Sequence, residues 1–405
     1  LDVLAKGSVL LFLPFFLKWM PQSEFGLYSY LVYIATTVAY ILGCGMETAL
    51  SRFYYTHEGA ERGAFLFTIN SFVAVLFGIL TGFFALTGLD KGLMSYIVET
   101  PFDYSDTYRL FLWLFIGSLL AYTLLNGYFA ISNQIRRFQI VNFIRVAAMG
   151  LGALALLYFG RGSIDTALTR LQIESVLSLL IFIPLFIPYL KAFYRRFDRP
   201  MLVKSLQIGL PLVASAIVMI FYSLSDKYFL QKYVSLESLA VYNAALFLTM
   251  PIGLIQSSFN AFWMPQFFSE KDMQVNLQKT KKWLGLLFGG FMVLLCGVWL
   301  VCFIGIKTDL LNQDYSAILW ILPCLFMAKM SESLTHLYNN FIVQFEKTNL
   351  LLGFTVLISL LSLGFNFILI PTGGLIAAAF VLMAVSLLRL YLYFLVAQKL
   401  VAQNQ

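Results

Sequence analysis

The sequence predicts an all-α polytopic membrane protein of about 12 transmembrane helices, arranged as two six-helix lobes. Three observations carry this. Hydrophobic residues make up 60% of the chain and charged residues 12%, with a mean hydropathy of +0.83, against roughly 25% charged residues in soluble domains. Apolar stretches long enough to cross a bilayer recur from end to end. The 27 Lys and Arg sort by side, basic loops alternating with poor ones.

A crossing helix needs about 20 predominantly apolar residues. The first span, 3–20, is already under way at Leu1, so a short N-terminal piece is expected to be missing ahead of it; nothing there reads as a signal peptide. Spans 27–50 and 63–89 flank the charged turn of Arg52 and Arg62. Span 109–132 follows the acidic segment Asp90 to Tyr108, under 20 residues and too short for a catalytic domain. Spans 141–160 and 166–190 follow Arg136 and Arg137, then Arg161. The basic run KAFYRRFDRPMLVK, Lys191 to Lys204, separates these six from spans 206–230, 238–262, 283–306, 316–342, 350–370 and 375–398. The expected organisation is an N-terminal lobe at 1–190 with its first helix truncated, a cytoplasmic linker at 191–205, and a C-terminal lobe at 206–405.

One set of gaps, with the two ends, holds sixteen basic residues and the other six, so both termini are expected in the cytoplasm. The excess behind the net charge of +7 lies mostly on that side, where anionic inner-leaflet lipid is the neighbour, not nucleic acid. Cys44, Cys296, Cys302 and Cys324 all fall in apolar stretches, which suggests neither disulfides nor a metal site. No phosphate-binding loop, HExxH, GxSxG or paired CxxC occurs, so ATP hydrolysis and hydrolase chemistry have no support.

The halves repeat. Tyr28 in EFGLYSY and Phe53 in LSRFYY correspond to Tyr242 in ESLAVYNAA and Phe267 in MPQFF, each 214 positions on, and the same offset lays YFGRGSIDTAL beside IPTGGLIAAAF. Six spans per repeat is an even number, so the halves share one topology and are expected to be related by a pseudo-twofold axis along the membrane normal, facing each other across a cleft.

GLPLVASAIVMIFYSLSDKYFL (Gly209 to Leu230), SLESLAVYNAA, FNFILIPTGGLIAAAF (Phe365 to Phe380) and SEFGLYSYL near the start resemble the polysaccharide-transporter branch of the multidrug/oligosaccharidyl-lipid/polysaccharide exporter superfamily. The resemblance covers essentially the whole chain. It implies a V-shaped, MATE-like architecture and a Wzx-like flippase, which moves an undecaprenyl-diphosphate-linked oligosaccharide from the inner to the outer leaflet of the bacterial inner membrane. About 12 helices sets the chain apart from lipid II flippases, which carry two more. The expected protein is a monomeric secondary transporter, not an enzyme, working beside polysaccharide polymerase machinery. It needs no cofactor and is coupled to H+ or Na+.

Five basic residues lie within spans: Arg145, Arg170, Lys227, Lys329 and Arg389. A charge at the bilayer centre costs about 2.5 to 3.5 kcal/mol on insertion scales, so each needs a partner or an aqueous cavity. Arg145 and Lys227 are near helix ends and can snorkel; Arg170 and Glu174, at i and i+4, neutralise one another. Lys329 and Arg389 sit mid-helix. The tenth span, KMSESLTHLYNN, places Lys329, Glu332 and His336 on one face. That face reads either as an ion pair serving packing or as the wall of a hydrophilic cavity. The substrate-binding candidates are Lys329, Arg389 and Arg145, with Asn243 and Asn260 for sugar hydroxyls. The ion-coupling candidates are Glu332, His336, Glu47 and Asp226, although Glu47 can pair with Arg52, and Asp226 is placed at the lobe interface only by the resemblance.

Two other readings remain. A multidrug exporter of the same superfamily would favour acids in its cavity, whereas the mid-helix charges here are largely basic. A membrane polymerase or ligase commonly needs a sizeable outer loop, which this chain lacks.

Overall fold

The computed structural model describes residues 2–98, 103–132, 134–160, 165–193, 197–345 and 347–403, and among these it contains helices and no strand. The order is α1 (Asp2–Trp19), α2 (Gln22–Leu42), α3 (Met46–Phe53), α4 (Gly59–Thr87), α5 (Leu89–Ile97), α6 (Asp106–Ile131), α7 (Ile135–Phe159), α8 (Thr166–Phe193), α9 (Arg199–Tyr233), α10 (Leu236–Leu248), α11 (Met250–Ser269), α12 (Met273–Lys307), α13 (Ile318–Gln344) and α14 (Thr348–Gln403). Helix is the form a membrane imposes, because every backbone polar group is then satisfied inside its own segment.

Eight segments of the described residues are long and apolar enough to cross a membrane. The last of them, Leu350–Gln403, has 54 residues. At 1.5 Å per residue it would run about 80 Å if straight, over twice the ~30 Å hydrocarbon core. It is broken at Gly374, whose φ of 55° and ψ of −138° lie outside the helical region, three residues after Pro371. Glycine is needed there because a Cβ resists this conformation.

Other expected spans are interrupted too. The second is split into α2 and α3 at Gly43–Cys44–Gly45, where Cys44 and Gly45 take left-handed φ values of 49° and 65°. The eighth is split into α10 and α11 at Thr249, next to Pro251. The unwound turn at Cys44 meets α9 backbone to backbone: a Cβ on Gly209 would lie 2.1 Å from the Cys44 carbonyl oxygen. Between α4 and α6, where the sequence suggested only a loop, α5 forms. The basic linker run is helical up to Phe193 and again from Arg199. Arg195, Arg196 and Arg161 lie outside the described residues.

Internal packing divides the chain into a unit from Leu1 to Ile220 and a unit from Phe221 to Gln405. The division falls within α9, which runs unbroken through both the end of the expected linker and the start of the expected second lobe. In the first unit α8 packs on α6 and α7, and α1 on α7; Phe129, Phe138 and Phe182 stack at its centre beside Tyr122. In the second unit α13 is the hub, packed against α10, α11, α12 and α14. The most polar span is thus the most enclosed one, and its polar side chains must find partners on neighbouring helices.

Candidate functional site

In the second unit, charged and polar groups from three helices converge on Glu332. Lys329, one turn earlier on α13, places Nζ 2.8 Å from Glu332 Oε2. From α9, Tyr222 donates its hydroxyl to Glu332 Oε1 at 2.9 Å and lies 3.1 Å from Ser386 Oγ on α14. The Lys329 and Glu332 side chains are 36% and 21% exposed, so the pair stays accessible. Arg389 follows Ser386 by one turn on α14, its guanidinium carbon 5.6 Å from the Tyr393 ring. Its Nε is buried and has no hydrogen-bond partner among the described residues. An Arg donor left unsatisfied at this depth is costly. The group is chemically suited to an arriving anion, which a guanidinium can hold in bidentate fashion. His336 is exposed on the same helix.

The uncharged candidates divide. Asn260 accepts from Gln256 Nε2 at 2.9 Å, and Gln256 in turn accepts from Ser333 of α13 at 2.5 Å, which links α11 to the residue after Glu332. Asn243 is buried on α10, and neither side-chain atom has a hydrogen-bond partner among the described residues. Asp226 is not part of the Glu332 cluster. It is buried, accepts the Tyr242 hydroxyl and pairs with Lys227 Nζ at 3.2 Å. Among the described residues no group of His, Cys, Asp and Glu is arranged to hold a metal ion.

The first unit holds Arg145 on α7 and Glu47 on α3. Arg145 donates from Nε and Nη2 to Asn142 Oδ1 at 3.1 and 2.9 Å and from Nη1 to Ser178 at 3.0 Å, with the Tyr122 and Phe182 rings about its guanidinium. Glu47 occupies the first turn of α3, its Cγ facing Gly127 of α6. Deeper burial belongs to a cluster that was expected only to neutralise itself. Arg170 Nε lies 2.8 Å from Glu174 Oε1, and its guanidinium carbon lies 3.7 Å from the Phe16 ring and 4.0 Å from the Tyr28 ring. Tyr28 donates to the other Glu174 oxygen. Glu24 accepts from the backbone N–H groups of Thr166 and Ala167 at 2.6 and 3.1 Å, capping the start of α8 where a helix favours negative charge.

Sequence reasoning missed Tyr222 and Ser386. Each sits on the face of a residue already singled out, four before Asp226 and three before Arg389. That spacing was the available signal. What it could not supply was their convergence on Glu332, which is tertiary.

Residues 2–271 match the family described as polysaccharide biosynthesis protein. The chain belongs to that family. No curated protein matches it. Solved structures share its fold: an inward-facing multidrug resistance MATE transporter of the MOP superfamily is 16% identical with a TM-score of 0.67, over 100% of this chain and 95% of its own. The lipid II flippase MurJ in an inward closed conformation is 12% identical with a TM-score of 0.67, over 98% and 85%. A MOP superfamily transporter from Pyrococcus furiosus, described as having reversed polarity of its binding pocket, is 16% identical with a TM-score of 0.52, over 99% and 94%. The polysaccharide biosynthesis chain is therefore an all-helical, multi-pass membrane protein with a MATE-like fold.

Proposed function

We propose that this family member is a secondary transporter, not an enzyme. It flips an undecaprenyl-diphosphate-linked oligosaccharide, the unit of an O-antigen, capsule or exopolysaccharide, from the inner to the outer leaflet by ion-coupled alternating access. The observation that carries the reading is Arg389, a mid-helix cation with a buried, unpartnered Nε beside an accessible Lys329–Glu332 pair. The diphosphate docks on Arg389, and the partly exposed Lys329, 2.8 Å from Glu332, exchanges that carboxylate for a phosphate oxygen. Glu332, freed of its cation, keeps Tyr222 and becomes the group that takes up H+ or Na+, with His336 one turn on. Asn243 and Asn260 supply polar contacts toward sugar hydroxyls, and Arg145, in the first unit, ranks lower as an anion contact because Asn142 and Ser178 already take its donors. Glu47 and Asp226 are the secondary coupling acids, and Asp226 ranks lower because Lys227 and Tyr242 already satisfy it.

The protein works as a monomer in the bacterial inner membrane, with both termini cytoplasmic and the basic loops on anionic lipid, alongside the polymerase that consumes its cargo. The runner-up, a multidrug exporter, fits less well: a cationic drug would meet two basic side chains for one acid on the Glu332 face. The test is headgroup translocation of an undecaprenyl-diphosphate oligosaccharide in reconstituted vesicles. Transport should collapse in Lys329→Ala/Arg389→Ala, and undiminished flipping by that double variant would remove the reading. Unchanged cargo mass after transport distinguishes a flippase from a polymerase or ligase.

A further inference from the structure

Helix α5 has three faces. At about 100° per residue, Asp90 and Met94 share one side, and both are buried. Lys91 and Ser95 share a second, exposed and polar. Leu89, Leu93 and Tyr96 share the third, and they are 55%, 56% and 72% exposed. The three stripes are spaced roughly evenly around the helix, so each looks at a different medium.

Ion pairs from the buried face and from the polar face tie the helix to the start of α6. Asp90 Oδ2 lies 2.9 Å from Arg109 Nε, and Lys91 Nζ lies 2.7 Å from Asp106 Oδ1. Arg109 also donates to the carbonyl of Phe84 in the last turn of α4. Gly88, with φ of 67°, ends α4 and starts α5, so the chain turns where the crossing helix finishes. The exposed apolar stripe follows directly in sequence on the outer face of α4, where Ile79, Phe83 and Leu86 are 63%, 47% and 90% exposed. On a helix that crosses a membrane such a face meets lipid. Leu89, Leu93 and Tyr96 come just past the end of the crossing helix, on the same short helix as the ion-paired Asp90 and Lys91, where a Tyr, apolar with a polar tip, is favoured.

We propose that α5 is an interfacial helix whose Leu89–Leu93–Tyr96 stripe is seated in the acyl–headgroup boundary of the bilayer, with Lys91 and Ser95 toward water. The occupant of the stripe is phospholipid. A nine-residue helix ion-paired to α6 through Asp90 and Lys91 and seated in lipid through its apolar stripe ties the end of α4 and the start of α6 to the membrane surface.

The test uses the full chain in phosphatidylethanolamine/phosphatidylglycerol vesicles, with benzoylphenylalanine at Leu93, at Ser95 or, for reference, at Ile79. After irradiation, intact-protein mass should show phospholipid adducts at 93 approaching those at 79, and at least ten-fold fewer at 95. Absence of adducts at 93 would overturn the proposal by putting the stripe in water or against protein. Equal adducts at 93 and 95 would overturn it by immersing the whole helix. All three positions are exposed, so the probe displaces no packed side chain.

Discussion

In the first unit Arg170 lies over two aromatic rings, Glu174 takes Arg170 on one oxygen and Tyr28 on the other, and both charged residues are buried. In the second unit Glu332 takes Lys329 and Tyr222, yet the pair is partly accessible and the neighbouring Arg389 keeps a donor unused. Charge at membrane depth must be compensated in either case. The first cluster is closed, with its atoms matched inside the fold; the second is open and has capacity left for something that arrives. The comparison separates two ways of compensating a buried charge, one complete within the fold and one with a donor left over, and only the second has capacity for a ligand.

The strongest way to break this contrast is Glu174→Ala. It strands a buried guanidinium and should cost about 3–5 kcal/mol, read as a fall in thermal stability of the purified protein in detergent, with Glu174→Gln milder. A loss below ~1 kcal/mol would mean that the closed cluster is not structural.

Tyr28→Phe and Tyr242→Phe sharpen the comparison within the repeat. The two tyrosines are 214 positions apart, each is the seventh residue of its helix, and each donates to a buried carboxylate beside a cation, Glu174 on α8 and Asp226 on α9. Removing a hydrogen bond to a charged group should destabilise each variant by about 1.5–3 kcal/mol. Strongly unequal losses would show that the two lobes do not use the motif alike.

Arg389→Ala should lower flipping at least ten-fold, about 1.4 kcal/mol, while leaving the melting temperature near that of the parent. Arg389→Lys should recover part of it. A melting temperature that falls together with transport would make Arg389 a packing residue. Tyr222→Phe leaves Lys329 on Glu332 and is expected to slow transport by only a few-fold.

The smallest effect belongs to Glu270, a partly exposed loop residue whose carboxyl is held below the ordinary range first by its hydrogen bond from Lys279. Because the folded value is depressed, any stabilisation is present above the unfolded carboxylate range and is lost as pH falls through the folded value. Exposure screens it. Glu270→Gln should leave the melting curve unchanged at neutral pH, and a clear shift would show that exposed pairs in this fold are worth more than expected.

The membrane class was legible in composition, and the pairings Arg170–Glu174 and Lys329–Glu332 were legible in their helical spacing. The break at Thr249 was legible in Pro251, which marks a kink within its span; the break at Cys44 was not, since hydropathy is blind to a turn whose residues stay apolar, and the Gly–Cys–Gly run was a weak local sign. Helix α5 escaped because nine residues with three different faces give no two-sided pattern. Tyr222 and Ser386 reach Glu332 from helices more than fifty residues away in sequence, and no local period encodes such a meeting.

The contact between Cys44 and Gly209 has a consequence for variation. It is made of main chain on both sides, so it has no rotamer to adjust. Even a methyl group at position 209 would sit 2.1 Å from an oxygen and force the two segments apart by about 1 Å. Every relative that keeps this crossing must therefore keep glycine at the position equivalent to 209. One that carries a side chain there will have its seventh span set farther from the unwound turn, a difference in spacing that can be foretold from a single letter.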